Sequence, residues 1–530
     1  MMQDETNVAA LSWVETAAPS VPVEDHANGD CETDADSLNV PVDESERQGT
    51  ISSARYNILS TMVGGGSLSL PMAFHKSGNA FMGPLFVIMV AASAEFCFRV
   101  LIASAAIVSK TPDDATRKGN SSFESVASAA FGPKALVFSM GLVTSMCFFG
   151  TVGYAVLLRD MLVPITDAIA PPPQGTTGVT LTHNVGMLSV ILAVTPLCTL
   201  KTLTALRRFG AASMMSVLIL GTCVAYRSVQ CNFAVDHASD RHDSWFDYLT
   251  YFPRSTKEIL DAFPLYISCF VCHYNILPVH NELRNPSQQR VSSWVRTTTW
   301  FAASFYLMIG FSGSMYGNCT SSGAVQGNIL LDFDEDDPLL LMGRMCLALT
   351  ITLAFPMLVI PARDILIHTV KWCNSCLKSR AEEEEAATVY SDAHSELREP
   401  FLLEENGGGD VVPEDEDASV PLTWRLGAAI FVFWSGAAVA CCVASIDVVW
   451  DLLGSSLSIL LSYLIPCGSY IALARKQASC ESGESPVDRG WKTSFMIYMA
   501  WFLVLLFTPL MFILTGNAVS NTFLGRSEIQ

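Results

Sequence analysis

Two short runs in this 530-residue chain place backbone breakers and polar side chains inside otherwise apolar stretches. The first reads Asn57-Ile58-Leu59-Ser60-Thr61-Met62-Val63-Gly64-Gly65-Gly66-Ser67, with Pro71 just beyond. Consecutive glycines weaken a helix by roughly 1 kcal/mol each relative to alanine, and Pro71 removes a further backbone bond. The second runs from Phe263-Pro264 through Phe270-Val271-Cys272-His273-Tyr274-Asn275 to Pro278. Breaking a helix frees N–H groups on one side of the break and carbonyls on the other. The N–H end attracts a carboxylate. The carbonyl end attracts an ammonium group or a cation. A ligand that offers both groups together is an amino acid. His273 adds an imidazole, the side chain that changes charge near neutral pH. It reads either as a proton-coupling group or as a neutral His bonded to freed backbone.

Such breaks need a setting that tolerates them. Half of the residues are hydrophobic and only 15% are charged, against roughly 25% in soluble proteins. Mean hydropathy is +0.36. A helix crosses the hydrocarbon core with about 20 apolar residues. Eleven stretches meet that need, near 56–75, 81–108, 134–163, 184–201, 209–229, 259–280, 295–316, 339–361, 422–446, 448–473 and 491–516. Irregular backbone survives at membrane depth only where it lines a cavity. The two interrupted stretches are the first and the sixth. That spacing predicts two inverted halves of five helices, with discontinuous helices 1 and 6 and one extra helix. Close helix packing on Gly64–Gly66 is the plainer reading of the glycines alone.

Charge divides the chain further. Residues 1–54 hold twelve Asp and Glu against one Arg, and residues 371–420 hold fourteen against four Lys and Arg. The remainder is close to neutral, within a formal net charge of -20. This balance excludes a nucleic-acid partner, which requires a basic footprint. Residues 1–54 are expected to be a disordered acidic cytosolic tail, and 371–421 a disordered acidic loop. The membrane domain is expected over 55–516, with helices 1–5 in 55–230, helices 6–10 in 258–474, helix 11 in 491–516 and a short outer tail at 517–530. Lys and Arg fall mostly in alternate loops, which places the N-terminus in the cytosol and the C-terminus outside or in a lumen. Asn318-Cys319-Thr320 is then an outer glycosylation sequon. Cys231 and Cys319 both fall near outer loops, where a disulfide is open to them. Glu95 and Arg99 read as either a functional intramembrane charge or a self-neutralising pair one turn apart. There is no P-loop, no Gly-x-Ser-x-Gly and no polar Ser–His cluster, so an enzyme is not expected.

The ordered motifs resemble the amino acid/auxin permease family. The first stretch is similar to that family's opening helix. Phe270-Val271-Cys272-His273 through Leu277-Pro278 to Glu282-Leu283 resembles the sixth-helix signature of its sodium-coupled neutral amino acid transporter subgroup. Gly153-Tyr154 through Arg159-Asp160 to Pro164 resembles the third helix, and Pro196-Leu197 through Lys201 the start of the fifth. Asp337 through Arg344, Phe355-Pro356 and Ile360 through Arg363 resemble the eighth, and Gly454-Ser455-Ser456 through Pro466 and Tyr470 the tenth.

The resemblance implies a leucine-transporter-type fold and amino acid transport driven by Na⁺ or H⁺, with no other cofactor. It implies a substrate site at Gly64, Gly65, Gly66, Ser67, Tyr154, Phe270, Val271, Cys272, His273 and Asn275. It implies ion coupling through Asn57, Ser60, Thr350 and Thr352, with Na⁺ at Ser60 and Thr352. Ser60 stands where sodium-using members carry Asn, and Tyr274-Asn275 stand where a Pro-Glu pair often follows the His. The expected protein is therefore a multi-pass secondary transporter in a plasma membrane or a vacuole- or lysosome-like organelle. The alternative is an amino acid sensor that signals to a cytosolic partner through its acidic tails.

Overall fold

The computed structural model describes residues 49–109, 122–169, 176–200, 210–234, 246, 248–320, 322–334, 337–393, 421–443, 445–480 and 491–524. Among them are helices and no strand, with an isolated parallel bridge between Gly49 and Leu283. In chain order the helices are α1 (Ile51–Met62), α2 (Leu70–Ser77), α3 (Met82–Val108), α4 (Phe123–Phe131), α5 (Pro133–Ile169), α6 (Thr176–Cys198), α7 (Gly210–Ala234), α8 (Thr256–Cys269), α9 (His273–Glu282), α10 (Gln288–Tyr316), α11 (Pro338–Ala393), α12 (Leu422–Cys442), α13 (Ile446–Leu452), α14 (Ile465–Cys480) and α15 (Trp491–Leu524). A 3₁₀ turn, Gly65–Ser69, joins α1 to α2, and two π-helical turns, Leu453–Leu457 and Leu460–Leu464, join α13 to α14.

Local chemistry sets the helix starts. Thr50 caps α1 by accepting from the Ser53 N–H at 3.1 Å. Ser255 and Glu258 form a reciprocal capping box on α8, and Ser122 and Ser125 form one on α4. Pro71 sits in the first turn of α2, where its missing N–H costs nothing.

Nine described segments are helical, long enough and apolar enough to cross a membrane. They include the α8–α9 and α13–α14 pairs taken as units. The expected stretches 56–75 and 295–316 are also helical but fall outside these nine. The first is broken into pieces of 12 and 8 residues. The second belongs to α10, whose opening turns carry Arg290, Arg296 and Thr297–Thr299. α5 packs along α11, α10 lies against α7, α2 and α3, and α14 lies against α3.

Two expected boundaries move. Residues 371–393, assigned above to a disordered loop, continue α11 as helix. Lys378 through Ala387 are almost all strong helix formers, which outweighs their lack of apolar period. Residues 517–524, assigned to an outer tail, continue α15. Residues 1–48 and 394–420, where the acidic tail and most of the acidic loop were expected, lie outside the described residues.

Charges within the helical body are locally answered. Arg99 donates to Glu95 at 2.6 Å and to the Ser292 hydroxyl at 2.8 Å, while the Trp300 indole N–H donates to the other Glu95 oxygen at 2.8 Å. The pair therefore neutralises itself and ties α3 to α10. Arg344 is buried and donates to the Leu330 carbonyl at 2.6 Å, holding the segment ahead of α11. Arg363 is also buried, donating to Asp364 at 2.7 Å and to the Leu200 carbonyl at 2.9 Å.

Cys231 of α7 and Cys319 after α10 form a disulfide, with Cα atoms 6.4 Å apart and a sequence separation of 88. The neighbouring Asn318 donates its side-chain amide to Asn232 at 3.1 Å. Closing a loop of that length removes chain entropy worth about 4–5 kcal/mol from the unfolded state. Cys319→Ser is expected to lower the melting temperature of the purified protein by several degrees and to abolish the mobility shift on reduction; an unchanged shift would exclude the bridge.

Asp337, just ahead of α11, accepts from Arg227 at 2.6 Å and from the Leu339 N–H at 3.0 Å. Partial burial pushes its carboxyl up, but these two donors outweigh burial and hold it below the ordinary 3.8. A carboxyl lowered by folding stabilises above its unfolded value and loses that contribution as pH falls through its folded value. The melting-temperature deficit of Asp337→Asn is therefore expected at neutral pH and to shrink as pH falls below 3.8. A deficit that stays constant down to acid pH would exclude the ion pair as its source.

Candidate functional site

The two interrupted helices lie side by side at their breaks. α1 stops at Met62, and the chain turns through Val63 and Gly64 before Gly65 starts the next helical turn. α8 stops at Cys269, and Phe270, Val271 and Cys272 separate it from α9. Gly65 and Gly66 open a helical segment, so their N–H groups precede the first carbonyl that segment can offer them. Met62 and Cys269 close helices, so their carbonyls lack the next intrahelical donors, and the Gly64 N–H answers that of Met62 at 3.0 Å.

A cavity of about 50 Å³ sits against both breaks. One water requires roughly 10–15 Å³ by the same measure, so the space suits a few waters or the head of a small zwitterion. Ser60, Thr61, Met62, Gly64 and Gly66 line it from the first break, and Ser268, Val271, Tyr274 and Asn275 from the second. Met146, Gly150 and Tyr154 of α5, Ala354, Met357 and Leu358 of α11, and Trp450 of α13 complete it.

Tyr154 closes one wall. A Cβ on Gly64 would lie 2.5 Å from the Tyr154 hydroxyl, so only glycine lets the phenol reach this backbone. A Cβ on Gly65 would meet Leu157 at 2.6 Å. The Tyr154 ring meets Phe355 and Trp450 edge-on, each at 6.3 Å between centroids, which fixes its direction.

Polar contacts bind the two breaks together. The Tyr306 hydroxyl of α10 lies 2.8 Å from the Met62 carbonyl and 2.8 Å from the Cys269 carbonyl. Asn275 donates to the Thr61 hydroxyl at 3.4 Å, and Thr61 donates in turn to the Asn57 carbonyl at 3.0 Å.

The residues named from sequence therefore separate. Gly64, Gly66, Tyr154, Val271, Asn275 and Ser60 line the cavity; Gly65, Ser67, Phe270, Cys272 and His273 sit at the breaks but do not line it. Ser67 turns its hydroxyl back to the Gly64 carbonyl at 2.8 Å. His273 is fully buried with its ring 4.3 Å from that of Phe98 and 6.3 Å from that of Tyr463. Neither of its nitrogens has a hydrogen-bond partner among the described residues.

Asn57 does not line the cavity, but its carbonyl accepts from Thr61 and Ser60, which do. Ser60 donates to the Asn57 carbonyl at 2.9 Å, Thr350 to Cys346 at 2.9 Å and Thr352 to Ala348 at 2.7 Å. Each hydroxyl proton is thus spent within its own helix, which leaves the oxygen lone pairs as acceptors. Thr350 and Thr352 do not line the cavity.

Tyr306, Thr61 and Trp450 were not singled out from sequence. Tyr306 sits in an aromatic run with Trp300, Phe301 and Phe305, where nothing separates it from an ordinary packing residue. The signal for Thr61 was present, since it stands inside the broken run.

The chain matches the family described as transmembrane amino acid transporter protein over residues 47–512. Vacuolar amino acid transporter 5 of Schizosaccharomyces pombe is 26% identical across 59% of this chain and 68% of its own length. Putative sodium-coupled neutral amino acid transporter 11 of Bos taurus is 23% identical across 60% of this chain and 63% of its own length. The chain thus spans about two thirds of these relatives. A solved structure of the inward-facing conformation of Mhp1 superposes with a TM-score of 0.49 and 13% identity, over 90% of this chain and 93% of that one. With a family match that runs from before α1 into α15, this chain is a multi-pass membrane protein and belongs to the transmembrane amino acid transporter family.

Proposed function

We propose that this protein is a secondary active transporter that moves amino acids across a membrane by alternating access, coupled to Na⁺ or H⁺. The observation that carries the reading is the pairing of two broken helices whose free N–H and carbonyl ends meet beside one small cavity. The substrate carboxylate rests at the N–H end of the first break, at Gly66 on the cavity wall, within reach of the Tyr154 hydroxyl. Its ammonium group rests on carbonyls at the ends of α1 and α8. The architecture is eleven membrane helices with a 5+5 inverted repeat. The first half ends with α7 and the second with α14.

Ser60, with Thr350 or Thr352, retains acceptor oxygens that suit a Na⁺ ion. His273, buried without a partner, is the candidate for H⁺. Any ion that binds beside the substrate raises substrate affinity, and the substrate raises the ion's by the same factor. The membrane is that of a vacuole-like organelle, as the name of the Schizosaccharomyces pombe relative suggests. The Cys231–Cys319 disulfide favours a lumenal or outer position for that end of the molecule. With those cysteines outside, the N-terminus faces the cytosol.

The decisive test is uptake of radiolabelled amino acids into proteoliposomes under an imposed Na⁺ or H⁺ gradient. Saturable uptake driven by one gradient is expected. Amino acid binding without uptake under either gradient would favour a sensor.

Gly64→Ala is expected to lower uptake at least about tenfold, because the added methyl collides with the Tyr154 hydroxyl. Tyr154→Phe removes that hydroxyl and leaves the ring carbon 3.4 Å from the new Cβ. The Gly64→Ala/Tyr154→Phe pair is therefore expected to recover the uptake of Tyr154→Phe alone. A double variant as inactive as Gly64→Ala would show that the glycine serves something other than the approach of Tyr154.

A further inference from the structure

One wall of the cavity holds a donor with nothing to receive it. Trp450 of α13 lines the cavity and is 6% exposed. Its indole nitrogen is buried and has no hydrogen-bond partner among the described residues. Other buried polar atoms share that condition, including those of His273, Trp294, Ser458 and Tyr463. Among the described residues, Trp450 is the one member of this group that lines the cavity. An indole nitrogen can only donate, so no rotation turns it into an acceptor. A buried donor left unanswered is costly, and close-packed interiors keep few of them.

The ring is held in place by its neighbours. It meets Tyr154 edge-on, with centroids 6.3 Å apart and planes at 70°. A Cβ on Gly153 would lie 3.3 Å from its Cζ2, so the glycine lets the indole settle against α5. Away from the breaks, the rest of the wall is Met146, Gly150, Ala354, Met357 and Leu358, none of which carries a polar side-chain hydrogen. The breaks offer backbone groups to the carboxylate and ammonium that every amino acid shares. Trp450 belongs to the other part of the wall, so the group it meets is the one that varies, the side chain. A hydroxyl on the β-carbon accepts through two lone pairs and rotates to suit. A methyl at the same place has no lone pair and leaves the N–H unanswered. The cavity, at about 50 Å³, favours side chains of this small size.

We infer that Trp450 is a specificity-determining residue: its indole N–H donates to the side-chain hydroxyl of a small hydroxylated amino acid, serine or threonine. The inference rests on the transport reading above and names a substrate class for it. The residue discriminates against 2-aminobutyrate and valine, which match serine and threonine in size and put a methyl where the hydroxyl stands. A site that donates to a hydroxyl rejects the analogue without one, because the buried donor then stays unpaired.

The test is equilibrium binding of radiolabelled alanine and radiolabelled serine to the purified full-length chain, each displaced by serine, 2-aminobutyrate, threonine and valine. In the wild type, serine is expected to bind about tenfold more tightly than 2-aminobutyrate, and threonine about tenfold more tightly than valine. Trp450→Phe keeps an aromatic ring and removes the N–H, and it is expected to bring both pairs to within about twofold of equality. Gly153→Ala crowds the indole without removing its N–H and is expected to lower both ratios by less. This second variant and the wild-type ratios keep the comparison available if Trp450→Phe does not fold.

A packing role alone would weaken all four ligands alike in Trp450→Phe and leave the ratios unchanged, as would an N–H that holds the carboxylate. Either result would overturn the inference. Equal wild-type affinities within each pair would also overturn it and leave the transport reading standing. A wild type that binds neither alanine nor serine would overturn the inference together with the amino acid site on which it rests.

Discussion

Every backbone N–H and carbonyl in an apolar helical body must find a partner, and the structure turns on how this rule is met at two deliberate breaks. A continuous helix satisfies it without help. α1 and α8 stop in mid-body, and each stop costs its last carbonyls the intrahelical donors that lipid cannot replace. The response is a polar side chain delivered from another helix. Tyr306 comes from α10 to both carbonyl ends, and Asn275 reaches Thr61 across the gap. Where a side chain would obstruct the approach there is glycine, as at Gly64 under Tyr154 and at Gly454, whose position lies against the Pro264 carbonyl of α8. The breaks are thus supported on one side and left open on the other, and the open side is the cavity.

The charged residues follow the same economy. Arg344 and Arg363 are buried, and each directs its guanidinium to backbone carbonyls that end or join helices. Arg227 meets Asp337 at the start of α11, where the carboxylate also accepts a helix N–H. Glu95 and Arg99 take partners from α10 as well as from each other. These contacts read as supports that fix helix ends and crossings. Among the described residues, the cavity wall carries no Asp, Glu, Lys or Arg. A net-neutral zwitterion matches such a wall better than a charged solute, since an unpaired ion would meet a large desolvation cost there.

Much of this was legible in the sequence because the breaks are written in backbone chemistry. Gly64–Gly66, Pro71 and Phe270–Asn275 mark a local conformational fact, and local facts survive without knowledge of the fold. Tyr154 was reached through resemblance and does face the first break. Tyr306 and Trp450 escaped notice because their roles arise from crossings between helices far apart in sequence, and an aromatic in an apolar run looks the same wherever it points. The same limit explains His273. Its position at the head of α9 was readable, but the direction of its ring, towards Phe98 and Tyr463, is set by α3 and the π-helical turn. Residues 371–393 differ from the expectation for another reason: helix propensity in an Ala- and Glu-rich run can sustain a helix without an apolar period.

The ties between the broken helices also bear on how the proposed cycle would move. At one end Gly49 exchanges backbone bonds with Glu282 and Arg284, joining the start of α1 to the end of α9. In the middle Asn275 holds Thr61, and at the breaks Tyr306 holds Met62 and Cys269. Three contacts at different heights resist sliding and rotation together, so the pair is best treated as one body. Against α5 the contacts differ in kind. There Tyr154 meets Gly64 through van der Waals contact, and the facing wall is built from Met146, Met357 and Leu358. Flexible methionines and a glycine surface give way at lower cost than paired polar groups do. The weaker seam therefore runs between the broken pair and the α5–α11 wall, and this is the seam that an alternating-access cycle would open.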